Sequence, residues 1–316
     1  MSAMPAAVST APAARGRRGR GRGAPGRRED TAFGLTLVAP QVIGYVLFGL
    51  VPIVQVAYYS LQEINPLSGE SRFVGFDNYR DIIASPTMHT VFRVTAIYVF
   101  AMAVSGVLLA LGLALLLNSK LPFVTFFRSV YFLPALVTLA AWTIVWRFIL
   151  QPSGLAGSLL SAVGLGQPQF LFDKNWALFS VVLVQVLKNV GINMMLFLAA
   201  LQTVPQELVE AARIDGAGTW TVLRRVTLPQ IAPSIIMVTI LMTVGSFKVF
   251  EQILLMTNGG PGQATSVLSF EIYQQAFGAS EIGYASALAM FLFVLVTVIT
   301  VLIWQVRKRV VFHEAE

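Results

Sequence analysis

Six long runs of apolar residues, almost free of charge, constrain this chain more than any other feature. Thr31–Gln62, Val94–Ser119 and Ser129–Trp146 contain no charged residue. A fourth run, Trp176–Leu201, is broken only by Lys188. A fifth leaves Pro229 and continues towards Thr257, crossing Lys248 and Glu251. The sixth, Ile282–Val306, ends at "RKR". About 20 apolar residues cross a bilayer as a helix, and in lipid only a helix or a closed barrel satisfies its own backbone. The sequence therefore predicts an all-α polytopic membrane protein with six transmembrane helices. They fall near residues 33–60, 92–118, 126–149, 176–201, 231–257 and 282–306, within a transmembrane domain over 31–316.

Composition agrees. The chain is 56% hydrophobic and 12% charged, whereas a soluble domain carries about 25% charged residues. It has no Cys, which excludes disulfides and thiolate metal sites. His89 and His313 have no second ligand at metal spacing, so no metal site is expected. The net charge of +7 does not point to nucleic acid, because seven arginines (Arg15, Arg17, Arg18, Arg20, Arg22, Arg27 and Arg28) sit together in a Gly-Arg tail. Such a tail can bind RNA or anionic lipid. The plainer reading is a disordered basic tail over residues 1–30 that helps fix topology. The first apolar run is too long for a signal-peptide core and no cleavage site follows it, so it reads as retained.

Six spans place both termini on one side, and Lys and Arg choose the side. With the termini inside, inner segments hold fifteen basic residues and outer segments hold five: Arg72, Arg80, Arg93, Arg147 and Lys174. Both termini are thus expected in the cytoplasm. So is the loop of residues 203–230, "TVPQELVEAARIDGAGTWTVLRRVTLPQ". Thr203 and Gln206 have capping-box spacing, and Pro205 suits a first helical turn. A short helix is predicted over Pro205–Asp215, broken by Gly216 and Gly218, where a left-handed backbone calls for glycine. A second follows over Thr219–Leu228 and stops at Pro229. Small residues here (Ala211, Ala212, Gly216, Ala217, Gly218) let another protein approach closely, and Glu210, Arg213 and Asp215 can pair across such a contact. An ordinary amphipathic helix lying on the headgroups fits these residues equally well.

The stretch "EAARIDGAG" followed by "VTLPQIAP" resembles the signature loop of permease subunits of bacterial ABC importers. The match falls on Glu210, Ala211, Ala212, Asp215, Gly216, Ala217, Leu228, Pro229 and Pro233, with Val226 where the family usually has Ile. "VGFDNYRDI", "RSVYFLPALVTLAAWTIVWRFIL" and "SFKVFEQILLMTNGGPGQATSVLSFEIYQQAF" are similar to segments of the carbohydrate subfamily of maltose, trehalose and glycerol-phosphate type. Glu251 stands where that subfamily commonly has Asp. The resemblance implies the type I importer permease fold. It also implies that the 205–220 loop is a coupling helix seated on a separate ATPase, and that the spans alternate between inward- and outward-facing states. Expected partners are a dimer of ABC ATPases, a second homologous permease, an extracytoplasmic sugar-binding protein and membrane lipid. ATP and magnesium belong to the ATPase; this chain has no G-x-x-x-x-G-K-[ST] loop and is expected to bind no cofactor and to be no enzyme.

A sugar path needs hydrogen-bonding groups at membrane depth, where they are costly to keep. Gln185, Asn189 and Asn193 form an i, i+4, i+8 stripe on span four, with Lys188 adjoining. Ser246, Lys248, Glu251 and Gln252 lie towards the end of span five. Lys248 also suits an ion pair with Glu251 or a snorkel to the interface, and Lys188 a hydrogen bond between helices. Asp77, Asn78, Tyr79, Gly259, Gly260 and Pro261, in the outer loops, are candidates for docking the binding protein. Trp142, Trp146, Trp176 and Trp304 read as interface aromatics, and the Gly and Ala of spans two and six as close-packing residues. The rival functions are a stand-alone secondary carrier or channel for a small polar solute, or a membrane anchor. The first needs inverted repeats or a coupling-ion site that the sequence does not display.

Overall fold

The computed structural model describes residues 27–64, 69–118, 122–164 and 166–311, with side chains described only from residue 36 to residue 305. Most of the basic tail, Lys120 and the side chains of Arg307, Lys308 and Arg309 lie outside the described residues. Where the tail expected over 1–30 overlaps them, Arg27–Asp30 is helical rather than disordered.

The chain divides into two compact units, Met1–Ile53 and Val54–Glu316. α1 (Arg27–Tyr45) passes through a π-helical turn at Val46–Leu50 into α2 (Val51–Tyr59). Next come β1 (Gln62–Ile64), β2 (Ser71–Phe73), α3 (Asp77–Ala84) and α4 (Pro86–Leu117). α5 (Val124–Leu136), α6 (Leu139–Leu150), α7 (Leu155–Ala162) and α8 (Lys174–Gln202) follow. Then α9 (Gln206–Ile214) and α10 (Thr219–Val222) lead by a π-helical turn into α11 (Leu228–Gln230). α12 (Ala232–Phe247), α13 (Glu251–Met256), α14 (Leu268–Tyr273) and α15 (Ile282–Val311) complete the chain. Among the described residues, four helices can span a bilayer alone, and counting each of two bent helix pairs as one span gives six.

Local chemistry moves several boundaries. α4 starts at Pro86 rather than near 92, because Ser85 accepts from the Met88 amide and Pro86 occupies the first turn. Span three is not one helix. Val124–Leu136 and Leu139–Ala162 bend by 101°, with Val137 and Thr138 extended between α5 and α6. Pro134 has no N–H to continue the ladder and so weakens the turn before the break. Span five, expected unbroken over 231–257, ends as a helix at Phe247; Lys248 caps it and α13 begins only at Glu251. Ser246 Oγ bonds back to Met242 O in the last turn, a contact that bends helices. Nor does Pro229 stop the preceding helix. The chain stays helical to Gln230 and turns at Ile231, giving a 69° bend between Thr219–Gln230 and Ala232–Phe247.

In the second unit α4 lies against α8 and α12, α5 against α8, and α12 against α15. Met102, Gly106, Ala110 and Ala114 form a buried i, i+4 stripe on α4, and a Cβ at Gly106 would stand 2.0 Å from Met242 Cε. Small residues therefore bring spans two and five together, as expected of membrane helix interfaces. Ala285 and Ala287 are buried likewise at the start of α15. A smaller cluster of Ile82, Met88, Val91, Leu268, Ala287 and Leu288 ties α3 and α14 to α4 and α15.

Candidate functional site

The loop after span four is built on a helix stop. Ala217 N–H donates to Ala212 O at 2.9 Å and Gly216 N–H to Arg213 O at 3.0 Å. This is the two-bond Schellman closure of α9, with Gly216 in the left-handed region at φ +83°. Gly218 differs from expectation. Its φ of −68° is ordinary, and no atom lies within 4 Å of a Cβ placed there. Neither the backbone nor the surrounding side chains require glycine at that position. Thr203 also has another role: its Oγ1 donates to Ala200 O, closing span four instead of capping α9, and Pro205 is the cap residue with no side-chain bond.

Glu210, Ala211, Arg213, Asp215, Gly216 and Gly218 are exposed, and Ala212 and Ala217 partly so. Among the described residues ion pairs join Arg72 to Glu63 and Arg80 to Asp77, and neither involves Glu210, Arg213 or Asp215. Ile214 is 86% exposed and Trp220 68% exposed. Between the two short helices an open cavity of about 470 Å³ is lined by Ala212, Asp215, Gly216, Gly218, Thr221 and Arg225, among others. Leu228 points the other way, packing on the main core, and Pro229 is half-buried. Those two belong to the frame of the loop rather than its face.

The amide stripe on span four is not uniformly open. Asn193 is buried, its Nδ2 donating to Asn189 O and lying 2.9 Å from Met242 Sδ. Lys188 donates to two main-chain carbonyls of broken span three, Pro134 O at 3.1 Å and Val137 O at 2.6 Å. Asn189 and Gln185 are half-exposed, although Gln185 Oε1 itself is buried with no partner in the chain. In span five Ser246 is buried and bonded to its own helix. Gln252 is fully buried, donating to Val181 O at 2.9 Å. Lys248 is exposed and Glu251 half-exposed, and no ion pair joins them. The groups left open at membrane depth are therefore Gln185, Asn189, Lys248 and Glu251. Asn193, Ser246 and Gln252 are committed to the packing.

Three polar residues outside the expected set matter here. Trp142 is not an interface aromatic: its indole N–H donates to Val184 O at 3.0 Å, beside the span-three break. Thr143 is fully buried with an unpartnered Oγ1. Arg147 donates to Leu255 O at the end of α13. None carries a sequence signal: the partners of Trp142 and Arg147 lie 42 and 108 positions along the chain, and Thr143 sits unmarked in an apolar run.

In the loop after span one, Asn78 Nδ2 donates to Ser60 O and Gln62 O at 2.9 and 3.0 Å. Tyr79 OH donates to Ser60 Oγ at 2.8 Å. These side chains hold the antiparallel β1–β2 pair, and Asn78 also lines the cavity that holds Asp77. Gly259 is buried at φ +80°, and a Cβ there would meet the Phe270 ring at 2.6 Å. Gly260 O accepts from Thr265 Oγ1 at 2.7 Å. Of the expected docking residues, Asp77 is exposed and Pro261 half-exposed. Asp77 lines an acidic cavity of about 580 Å³ with Glu63, Asp81, Gln275, Glu281 and Tyr284.

Residues 94–311 match the family of binding-protein-dependent transport system inner membrane components. The chain belongs to that family. It is a multi-pass permease subunit of the inner membrane and not itself an enzyme, which bears out the resemblance to permeases of carbohydrate ABC importers. It is 35% identical over 268 residues to the arabinooligosaccharides transport system permease AraP of Bacillus subtilis, covering 84% of this chain and 85% of that one. It is 33% identical over 280 residues to the sn-glycerol-3-phosphate transport system permease UgpA of Pectobacterium atrosepticum, covering 88% and 95%. A bacterial ABC transporter involved in the import of the acidic polysaccharide alginate aligns over 90% of this chain and 96% of its own, with a TM-score of 0.78 at 22% identity. That likeness establishes the type I importer permease fold.

Proposed function

We propose that this chain is one transmembrane subunit of an ATP-driven importer that carries a sugar into the cytoplasm by alternating access. The substrate is of disaccharide size, such as trehalose or maltose. Energy arrives through residues 205–220 from a separate ABC ATPase dimer, which holds the ATP and magnesium. The observation that carries this reading is the loop itself, where Ile214 and Trp220 stand exposed beside Gly218 and a cavity that the chain leaves unfilled. Exposed apolar side chains around a concavity mark an interaction surface. Asp215 and Arg225 line the cavity, and Glu210 and Arg213 carry exposed charge on α9.

Gln185, Asn189 and Glu251 support the sugar path. Polar groups at membrane depth face a bundle interior or an aqueous cavity, not lipid, and here they are only partly covered. A second, homologous permease is the partner that would enclose them. The AraP relative is a permease for arabinooligosaccharides by name, and related structures include an alginate importer bound to a periplasmic protein; both favour a saccharide delivered by an extracytoplasmic binding protein. The cavity holding Asp77, Asp81 and Glu281 is the proposed docking place, outside the membrane, with both termini in the cytoplasm. A carrier acting alone has no comparable support.

Purification in mild detergent tests the proposal. An ATPase and a second permease should co-purify, and vesicles containing the complex should take up labelled trehalose or maltose only with ATP inside and binding protein outside. Glu210→Lys and Gly216→Asp should abolish uptake while leaving the chain in the membrane. Transport by the purified chain alone, without ATP, overturns the proposal.

A further inference from the structure

We propose that Lys188 is a positioning residue whose ammonium closes the break in span three, and that the transported solute does not bind to it. Where α5 ends, its last carbonyls lack the next turn's amides, Pro134 O keeping only the 3.3 Å bond from Val137 N–H, and they carry the negative end of the helix dipole. At membrane depth no water replaces those partners. Lys188 enters from span four and supplies them, donating to Pro134 O and Val137 O on the two sides of the last turn. An ammonium has three donor positions; two are used here, and Nζ also lies 5.9 Å from the centre of the Trp142 ring.

Neighbouring contacts make this a built device. One turn before Lys188, Val184 O accepts from the Trp142 indole, so each span donates to the backbone of the other. About one turn after it, Gly191 lies so close to span three that a Cβ would stand 1.9 Å from Tyr131 O. Residues 184, 188 and 191 thus hold, in order, residue 142, the break itself and residue 131. The same chemistry recurs elsewhere: Arg128 donates to Leu117 O at the end of α4, and Arg147 to Leu255 O near the end of α13. Lys188, Arg128 and Arg147 are thus each spent on carbonyls at or near a helix end.

The uptake readout rests on the transport reading above; the shielding readout does not. Because the chain has no cysteine, Thr143→Cys places a single thiol at a fully buried position just past the break. In Lys188→Met the maximal uptake rate should fall about tenfold, the equivalent of one hydrogen bond to a charged group, with KM within about twofold of the parent. A membrane-permeant maleimide should label Cys-substituted position 143 several-fold faster in that background. Lys188→Arg, which keeps the charge and the donors, should restore both rate and shielding. Trp142→Phe, which loses only the indole donor, should show a smaller defect of the same kind and covers the case in which Lys188→Met does not accumulate. A raised KM with the rate retained and shielding unchanged would make Lys188 a solute ligand and overturn the proposal, as would no change in any readout. If the parent complex takes up no sugar, the transport reading fails, and shielding alone decides: faster labelling supports the cap and unchanged labelling overturns it.

Discussion

Gly218→Phe separates what the loop needs for itself from what a partner needs of it. Within the chain the substitution is mild. The backbone is at φ −68° and ψ 163°, where any residue fits, and a Cβ meets nothing within 4 Å. The remaining cost is the loss of glycine from the cap position of α10, about 1 kcal/mol or less. A docked partner would see something different, because a phenylalanine side chain occupies about 150–250 Å² of surface on the rim of the cavity proposed to be filled. Forcing extra volume into a packed contact costs about 1–3 kcal/mol, roughly five- to 150-fold in affinity. Gly216→Ala is the contrasting case: at φ +83° it strains the loop itself by about 1–2 kcal/mol whether or not a partner binds. The assay is the amount of ATPase co-purified per permease, together with ATP-driven uptake and the amount of chain in the membrane. Gly218→Phe should keep normal membrane levels but lose ATPase and uptake. Parent-level ATPase and uptake would refute the close approach, and a lower membrane level would refute the claim that the chain tolerates the side chain.

Three further substitutions read the frame. Gly191→Ala should lower the melting temperature in detergent, since its Cβ would stand 1.9 Å from Tyr131 O and 2.6 Å from Tyr131 C, both backbone atoms; overpacking of this kind costs about 1–3 kcal/mol. Thr95→Val should destabilise the chain by about 1–3 kcal/mol. Thr95 Oγ1 donates to Val91 O and accepts from the buried Leu268 amide at 2.9 Å, and valine leaves that amide without a partner. Asn78→Ala frees Ser60 O and Gln62 O together and should make the β1–β2 segment more protease-sensitive, with transport lost less than in Gly218→Phe.

The spans were legible because hydropathy is additive along the chain, and the Gly216 turn because only one residue type takes that backbone without strain. The break in span three was not. "FLPAL" scores as apolar whether or not Pro134 interrupts the ladder, and nothing nearby in sequence announces that Lys188, 54 positions on from Pro134, meets the carbonyls at the break. Lys188 and Trp142 show the same limit: a polar atom in an apolar run signals expense but not its partner, and here the partners are main-chain oxygens that carry no sequence identity. Asn78, Tyr79 and Gly259 were singled out correctly as special, but their pattern does not reveal whether they face a partner or hold their own loop. Gly218 is the reverse case, a residue whose neighbours in the fold give no reason for it.

The link between span four and the helix after it has a mechanical consequence. Only Thr203–Pro205 separates α8 from α9, and three residues reach no more than about 10 Å, so a pull on α9 has little slack to take up before it reaches the span. Lys188 lies at the centre of this 29-residue helix. A stiff rod pivoting at its far end moves its centre by half as much as its near end. Hydrogen bonds weaken steeply once stretched by more than about half an ångström, so the joint at Pro134 and Val137 has almost no play. Any stroke at the loop larger than about 1 Å must then carry the Val124–Leu136 half of span three with it, or release the Lys188 bonds.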